Sequence, residues 1–215
     1  MTLLPIDDPD HTDECALTDD VFEMLAHEGA AVFERIARDH DGAFPNLILA
    51  DIRGARESLR DLRPRGRAFL ELGSGLGIIT IIADLLGYDA YGIEIEPRLV
   101  DESFRLAELC GSTAVFVEGS FVPPGFQEEV ELLNADFDTV TAGADAYEEM
   151  GMAIGDFDLV YAYPWPDETE WLHSLYRRYA APHGALLTFS VRDGFVLSCC
   201  DAIRSCEPSA TPDRP

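Results

Sequence analysis

Glu71-Leu72-Gly73-Ser74-Gly75-Leu76-Gly77 sets one carboxylate beside three closely spaced glycines. That spacing suits a ligand held close to the main chain. Glycine adopts dihedrals closed to other residues and lets the backbone approach a bound group. The stretch follows the apolar run Ala68-Phe69-Leu70 and opens the run from Ile78 to Leu86. Strand, tight turn and helix are expected in that order, with free N–H groups of the helix N-terminus aimed at the turn. A ribose-gripping acid follows such a turn by about 20 residues. Here Tyr91-Gly92-Ile93 ends on Glu94 at that distance. The combination predicts an adenosine-containing ligand.

The spacing also says which one. A dinucleotide fingerprint reads G-x-G-x-x-G. In this chain the third glycine comes one residue early, at Gly77, and Ile78 holds the fingerprint position. Glu71, two residues before the first glycine, is awkward for a pyrophosphate and suits the cationic amino-acid end of S-adenosylmethionine. The residues resemble the first motif, E/D-x-G-x-G-x-G, of the class I S-adenosylmethionine-dependent methyltransferases. The resemblance runs from about Arg67 to Ser190. It implies a Rossmann-like, doubly wound, mostly parallel α/β sheet with S-adenosylmethionine as cofactor. It further implies cofactor contacts from Glu71, Gly73, Ser74, Gly75, Gly77, Glu94 and Ile95.

Two later segments extend the resemblance. Glu118-Gly119-Ser120-Phe121 occupies the loop that touches the adenine in that family, which implicates Gly119 and Ser120. Asp158-Leu159-Val160-Tyr161-Ala162-Tyr163-Pro164-Trp165-Pro166 resembles the D-x-x-x-x, [N/D/S]-P-P-[Y/F] motif of amino-methylating relatives. Tyr161 is implied at the cofactor. Tyr163 takes the amide or carboxylate position, Trp165 the second proline and Pro166 the aromatic. The missing amide argues against methylation of a base amine. A tyrosine hydroxyl at 163 can orient or deprotonate a nucleophile, which makes Tyr163 the candidate catalytic residue. Tyr163, Pro164 and Trp165 are expected to line the substrate, their aromatic faces favouring a sulfonium charge. His27 and His173 lie in helical stretches and are read as structural. There is no Ser/His/Asp set and no H-x-x-x-H ligand spacing, so no metal is expected. Methyl transfer requires alignment and desolvation of an already activated group.

These residues need a scaffold. Strands are expected at about 68–72, 90–95, 114–117, 157–162 and 185–190, alternating with helices at about 76–86, 97–110 and 167–179. That alternation specifies a parallel sheet covered on both faces. Residues 195–200 form one further short strand. Ahead of this core, residues 1–66 read as an acidic helical extension, with helices near 21–38 and 53–62 and an apolar stretch from Pro45 to Ile52. Residues 67–204 form the cofactor-binding domain, and 205–215 a disordered tail. Residues 122–156, with Pro123-Pro124-Gly125, exceed a simple crossover and suggest an insertion near the site. The C-terminal end is short for the family, with the final antiparallel pair reduced or absent.

Composition narrows the partners. The 215 residues fit one domain with a substantial core, and 47% are hydrophobic. Against 41 acids stand 15 cations, all arginine, for a net charge of −26. Such a surface disfavours broad contact with nucleic acid. Because the acids are spread along the whole chain, they read as solubility in high salt rather than as a docking patch for a basic partner. No apolar run reaches the length that spans a bilayer, and Met1 to Asp8 lacks a basic signal region. A cytoplasmic protein with no membrane partner is expected. The five cysteines make no C-x-x-C and no disulfide framework. The reading is a methyltransferase with a small-molecule acceptor. A non-catalytic S-adenosylmethionine-binding protein and a methyltransferase of basic protein segments are the alternatives.

Overall fold

The computed structural model describes residues 16–39, 47–48, 50–62, 67–127, 139–140 and 142–199. The disordered tail expected at 205–215 lies outside the described residues, as do residues 128–138 and 141 of the insertion expected at 122–156.

Helix α1 (Asp19–Asp39) begins with two acids and carries Arg38 in its last turn, which matches the helix dipole. Thr18 Oγ1 accepts from the Val21 N–H at 3.3 Å. Phe22, Leu25, Val32 and Ile36 form its buried stripe. Gly29 completes that stripe. A Cβ there would lie 2.4 Å from Ile78 Cδ1, so the glycine that weakens the helix intrinsically is what lets α1 approach the core. Helix α2 (Ile52–Asp61) is capped by Asp51, whose carboxylate accepts from Gly54 N.

The sheet contains β1 (Ala68–Leu72), β2 (Asp89–Glu94), β3 (Val115–Glu118), β4 (Leu159–Ala162), β5 (Ala185–Ser190) and β6 (Gly194–Cys199). Its order is β3-β2-β1-β4-β5-β6. All pairings are parallel except β5 with β6. The order reverses beside β1, between β2 and β4. In an open α/β sheet the crevice beyond the strand ends at that point is where ligands sit. The single antiparallel strand β6 is the short C-terminal strand expected from the sequence.

Helix α3 (Ile78–Leu85) is apolar almost all round because it is enclosed between the sheet and its neighbouring helices. Helix α4 (Pro97–Cys110) starts on proline and stops at Gly111, whose left-handed φ of 70° closes the cap. Helix α6 (Thr169–Tyr179) follows β4 and buries Trp171, Leu172, Leu175 and Tyr176 on the opposite face of the sheet. Between β3 and β4 the structure shows a short α5 (Ala146–Met150) and a turn of 3-10 helix (Ile154–Asp156). β1 and β5 fall where the sequence places them, and the other strand edges shift by one or two residues. The largest change is β4, which begins at Leu159. Phe157 and Asp158 precede it as a joint: Asp158 Oδ2 accepts from Ala68 N at 3.0 Å, and Asp158 N donates to Ala68 O at 2.9 Å. The aspartate that opens the fourth-strand motif therefore ties β1 to β4 at the end of the sheet away from the glycine turn.

Candidate functional site

A cavity of about 1200 Å³ opens beyond the C-terminal ends of β1 and β4. Single-ligand pockets run to roughly 1,000 Å³, so this one has room for a cofactor and an acceptor together. Twelve of the residues implicated by the sequence line it: Glu71, Gly73, Ser74, Gly75, Glu94, Ile95, Gly119, Ser120, Tyr161, Tyr163, Pro164 and Trp165.

The glycine turn is the floor. Gly73, Gly75 and Gly77 hold φ values of 71°, 55° and 68°, a region that side chains rarely tolerate. A Cβ on Gly73 would meet only Phe121, at 3.7 Å, so the cavity side is open there. At Gly75 it would meet Leu47 Cδ1 at 3.2 Å. Gly77 differs from the sequence expectation. It lies outside the cavity lining, and a Cβ on it would fall 2.4 Å from Phe116 Cε1 and 2.8 Å from Ser103 Oγ. Its task is to let β3 and α4 close against the turn.

Backbone bonds hold this floor to β2. Ser74 N donates to Ile93 O, and Gly77 N to Ser74 O, both at 2.8 Å. The Glu94 carboxylate bridges the gap: Oε2 accepts from Gly75 N at 2.7 Å and Oε1 from Glu96 N at 3.0 Å. Burial raises the pKa of Glu94, and these amide donors oppose the rise. A carboxylate oxygen has more than one acceptor site, so Glu94 can hold the turn and still face a ribose.

Glu71 is buried on β1 with Thr80 as its partner. Thr80 N and Oγ1 both donate to Glu71 Oε2, at 2.9 and 2.5 Å. Burial pushes the Glu71 pKa up to about 8, with the Thr80 hydrogen bonds resisting. A cation in the cavity would draw the proton off. Across the β1–β4 pair, Tyr161 is the register partner of Glu71, so both side chains stand on one face. Tyr161 is only 1% exposed, and its hydroxyl has no partner. Burial first, and Glu71 second, push its pKa far above the ordinary phenol range, which leaves it a neutral donor. Ser74 Oγ is likewise buried without a partner. Two buried hydroxyls without partners, on residues that line a glycine-floored cavity, are what a polar ligand would satisfy.

The Gly119-Ser120 loop after β3 is braced by the β3–β4 connection. Ser120 N donates to Ala144 O at 2.8 Å, and Ser120 pairs with Asp145 in an isolated parallel bridge. The Ser120 hydroxyl accepts from Val122 N at 3.1 Å. Its first duty is to shape the loop. Thr139 donates through N and Oγ1 to the buried Glu168. That contact fixes Thr139 and Val140 at the cavity beside the segment that follows β4.

Tyr163, Pro164 and Trp165 form the wall opposite. Tyr163 packs edge-on against Phe189 at 5.0 Å between centroids, and Phe189 against Phe195 at 4.7 Å. Asp167 holds a positive φ of 71° where the chain turns back into α6. His173 sits outside the lining, half buried, with its pKa lowered by burial and then by Arg177. His27 is exposed on α1. Among the described residues no group of His, Cys, Asp or Glu could hold a metal ion. No helix of them is long and apolar enough to cross a membrane.

Sequence reasoning missed one wall. Leu47, Ile48, Ala50 and Ile52 lie over the glycine turn. Their signal was present as an apolar stretch between two helices of an acidic extension, with no helical or strand period to assign it a partner. Ser190 to Asp193, from the β5–β6 turn, complete the rim.

Strand order, switch-point cavity and glycine turn define a Rossmann-like α/β domain. No protein-family model matches the chain. It is 30% identical over 135 residues to a ribosomal protein L11 methyltransferase of Thermus thermophilus, covering 62% of this chain and 42% of that protein. The chain thus spans less than half the length of that relative. Among solved structures, an O-methyltransferase from Bacillus cereus in complex with SAH superposes with a TM-score of 0.49 at 12% identity, covering 84% of this chain and 70% of that one. An RNA methyltransferase from Salinibacter ruber in complex with S-adenosyl-L-homocysteine gives 0.45 at 20% identity, covering 66% and 76%. In sequence and fold the chain resembles the class I S-adenosylmethionine-dependent methyltransferases.

Proposed function

We propose that this chain is an S-adenosylmethionine-dependent methyltransferase acting on a small molecule. The observation that carries the reading is the array at the switch point: Glu71 on β1, the left-handed glycine turn, and Glu94 on β2 bonded to Gly75 N. The residues fit the cofactor. The glycine floor accepts its body, Glu94 faces the ribose, and Glu71 with the orphaned Tyr161 hydroxyl receives its charged amino-acid end. When bound, the cofactor supplies an activated methyl group on a sulfonium. The chain then has to orient an acceptor and exclude water. Leu47, Ile48, Ala50 and Ile52 cover the turn, and the Tyr163-Pro164-Trp165 wall meets the acceptor. Tyr163 is the group placed to handle a proton there. Two observations favour a small acceptor. Tyr163, Pro164 and Trp165 line the cavity half buried rather than on an open face. The net charge of −26 opposes a polyanion.

Calorimetry with S-adenosylmethionine, S-adenosylhomocysteine and NAD tests the cofactor. Saturable binding of the first two, lost in Gly75→Val, supports the reading, and binding of NAD alone rejects it. Methyl release over small amines, phenols, a basic peptide and an RNA oligonucleotide tests the acceptor. Turnover confined to the peptide or the RNA would replace the small-molecule assignment.

A further inference from the structure

We infer that Thr80 is a positioning residue for the cofactor: it sets the Glu71 carboxylate to receive the cofactor's charged amino-acid end. The inference rests on the cofactor reading and adds a residue that does not itself line the cavity. Thr80 is fully buried in the first turn of α3. Gly77, ahead of that turn, has no side chain to cap it, so the first N–H groups need an acceptor from elsewhere. Glu71 supplies one from β1. Its Oε2 takes both Thr80 bonds, from N at 2.9 Å and from Oγ1 at 2.5 Å. A threonine in a helix commonly turns its hydroxyl to the carbonyl one turn back; here it is turned to a carboxylate. Two donors on one oxygen fix where the carboxylate stands. They leave Oε1 clear of Thr80, on a residue that lines the cavity.

Gly92 is the independent observation. It lies in extended β2 as the register partner of Glu71 and has no positive φ to call for glycine. A Cβ there would fall 2.9 Å from Thr80 Oγ1 and 2.9 Å from both Cβ and Oγ of Ser74. The missing side chain is the space in which the Thr80 hydroxyl and Ser74 stand beside Glu71. Charge follows from the same arrangement. The titratable neighbours of Glu71 are Glu94 on β2 and Tyr161 on β4, and neither is a cation. Burial first, and the Glu94 charge last, favour the protonated acid, while the two Thr80 bonds favour the carboxylate. A protonated Glu71 offers no charge to an ammonium group. Thr80 therefore governs both the place and the charge of the acid.

The test is calorimetric, on the full chain. S-adenosylhomocysteine, which carries the amino-acid end, is compared with methylthioadenosine, which lacks it. Thr80→Val keeps the shape and the N–H and removes the hydroxyl. It should weaken S-adenosylhomocysteine at neutral pH by about tenfold or more and leave methylthioadenosine within about twofold. In the unsubstituted chain, affinity for S-adenosylhomocysteine should rise with pH towards about 8, where Glu71 gives up its proton. In Thr80→Val that rise should move to higher pH, because one bond favouring the carboxylate is gone. Thr80→Ser, which returns the hydroxyl, should restore affinity and profile together. Circular dichroism checks each fold, and Thr80→Ala takes the place of a valine variant that does not fold. An equal loss of both ligands would make Thr80 a helix-capping partner alone. That result, no loss of either ligand, an unmoved pH profile, or no rescue by serine each overturns the positioning role. S-adenosylhomocysteine binding to the unsubstituted chain is measured first. Its absence rejects the cofactor reading and this inference with it, whereas the other outcomes reject the role of Thr80 alone.

Discussion

The two halves of the cavity are built differently. The half around the glycine turn comes mainly from one short stretch, Glu71 to Glu96, in which β1, the glycine turn, α3 and β2 follow one another. Its groups bond to each other: Ser74 to Ile93, Gly75 to Glu94, Glu71 to Thr80. The opposite half is gathered from three stretches far apart in sequence: 139–140, 163–172 and 190–193. Side-chain packing and one Thr139–Glu168 contact join them. The contrast shows where such a fold keeps its chemistry constant and where it can change partners. A local, backbone-bonded site tolerates little change, whereas a wall assembled from loops can be altered one loop at a time.

The sharpest way to break this contrast is in the floor. Gly75→Val places a branched side chain at φ 55° and against Leu47. Cofactor binding is expected to vanish in calorimetry while circular dichroism still reports a folded chain. Retained binding would mean that the turn is not the floor. In the wall, Tyr163→Phe should leave cofactor affinity intact and lower turnover by roughly 10²-fold if the hydroxyl handles a proton. Trp165→Ala should instead weaken binding. If Tyr163→Phe changes neither, the wall only covers the cofactor.

Glu94→Ala should weaken cofactor binding by about 1.5–3 kcal/mol, the range for a hydrogen bond to a charged group. Melting temperature should fall with it, because Gly75 N loses its acceptor. Unchanged affinity would shift the ribose contact to Glu96 or to the backbone.

Glu71 sharpens the comparison through pH. Its folded pKa, about 8, exceeds the 4.5 of an ordinary glutamate because burial disfavours the charge. Between those values the folded state holds a proton that the unfolded chain has lost. Stability should therefore be greatest at the acid end of that window and fall as pH rises through about 8. Denaturant melts across the window should lose this contribution in Glu71→Gln. A slope unchanged by the substitution would place the proton elsewhere. The smallest effect concerns the whole surface. Melting temperature should rise between 0.1 and 1 M salt as the Debye length shrinks from about 10 to about 3 Å, and a flat or falling curve would contradict self-repulsion among the 41 acids.

Much of this was legible along the chain. Glu71, the glycines and Glu94 declare themselves because strand, turn, helix and strand are adjacent in sequence, and each residue's role depends on its near neighbours. The alternation of apolar strands and amphipathic helices likewise specifies a parallel, doubly wound sheet, and α4 runs from its proline to its capping glycine as read. Other assignments needed three dimensions. Gly77 looks like its two companions, yet packing against Phe116 and Ser103 takes it out of the cavity. Asp158 opens a catalytic-looking motif, but the strand carries it to the far end of the sheet, where it bonds Ala68. Leu47 and Ile52 carry no chemistry of their own, and only the closure of the N-terminal extension over β1 sets them above the turn. Register decides the last case. Tyr161 stands beside Glu71 because β4 inserts next to β1 with those two residues opposite each other, a pairing across about 90 residues of chain that no local pattern encodes.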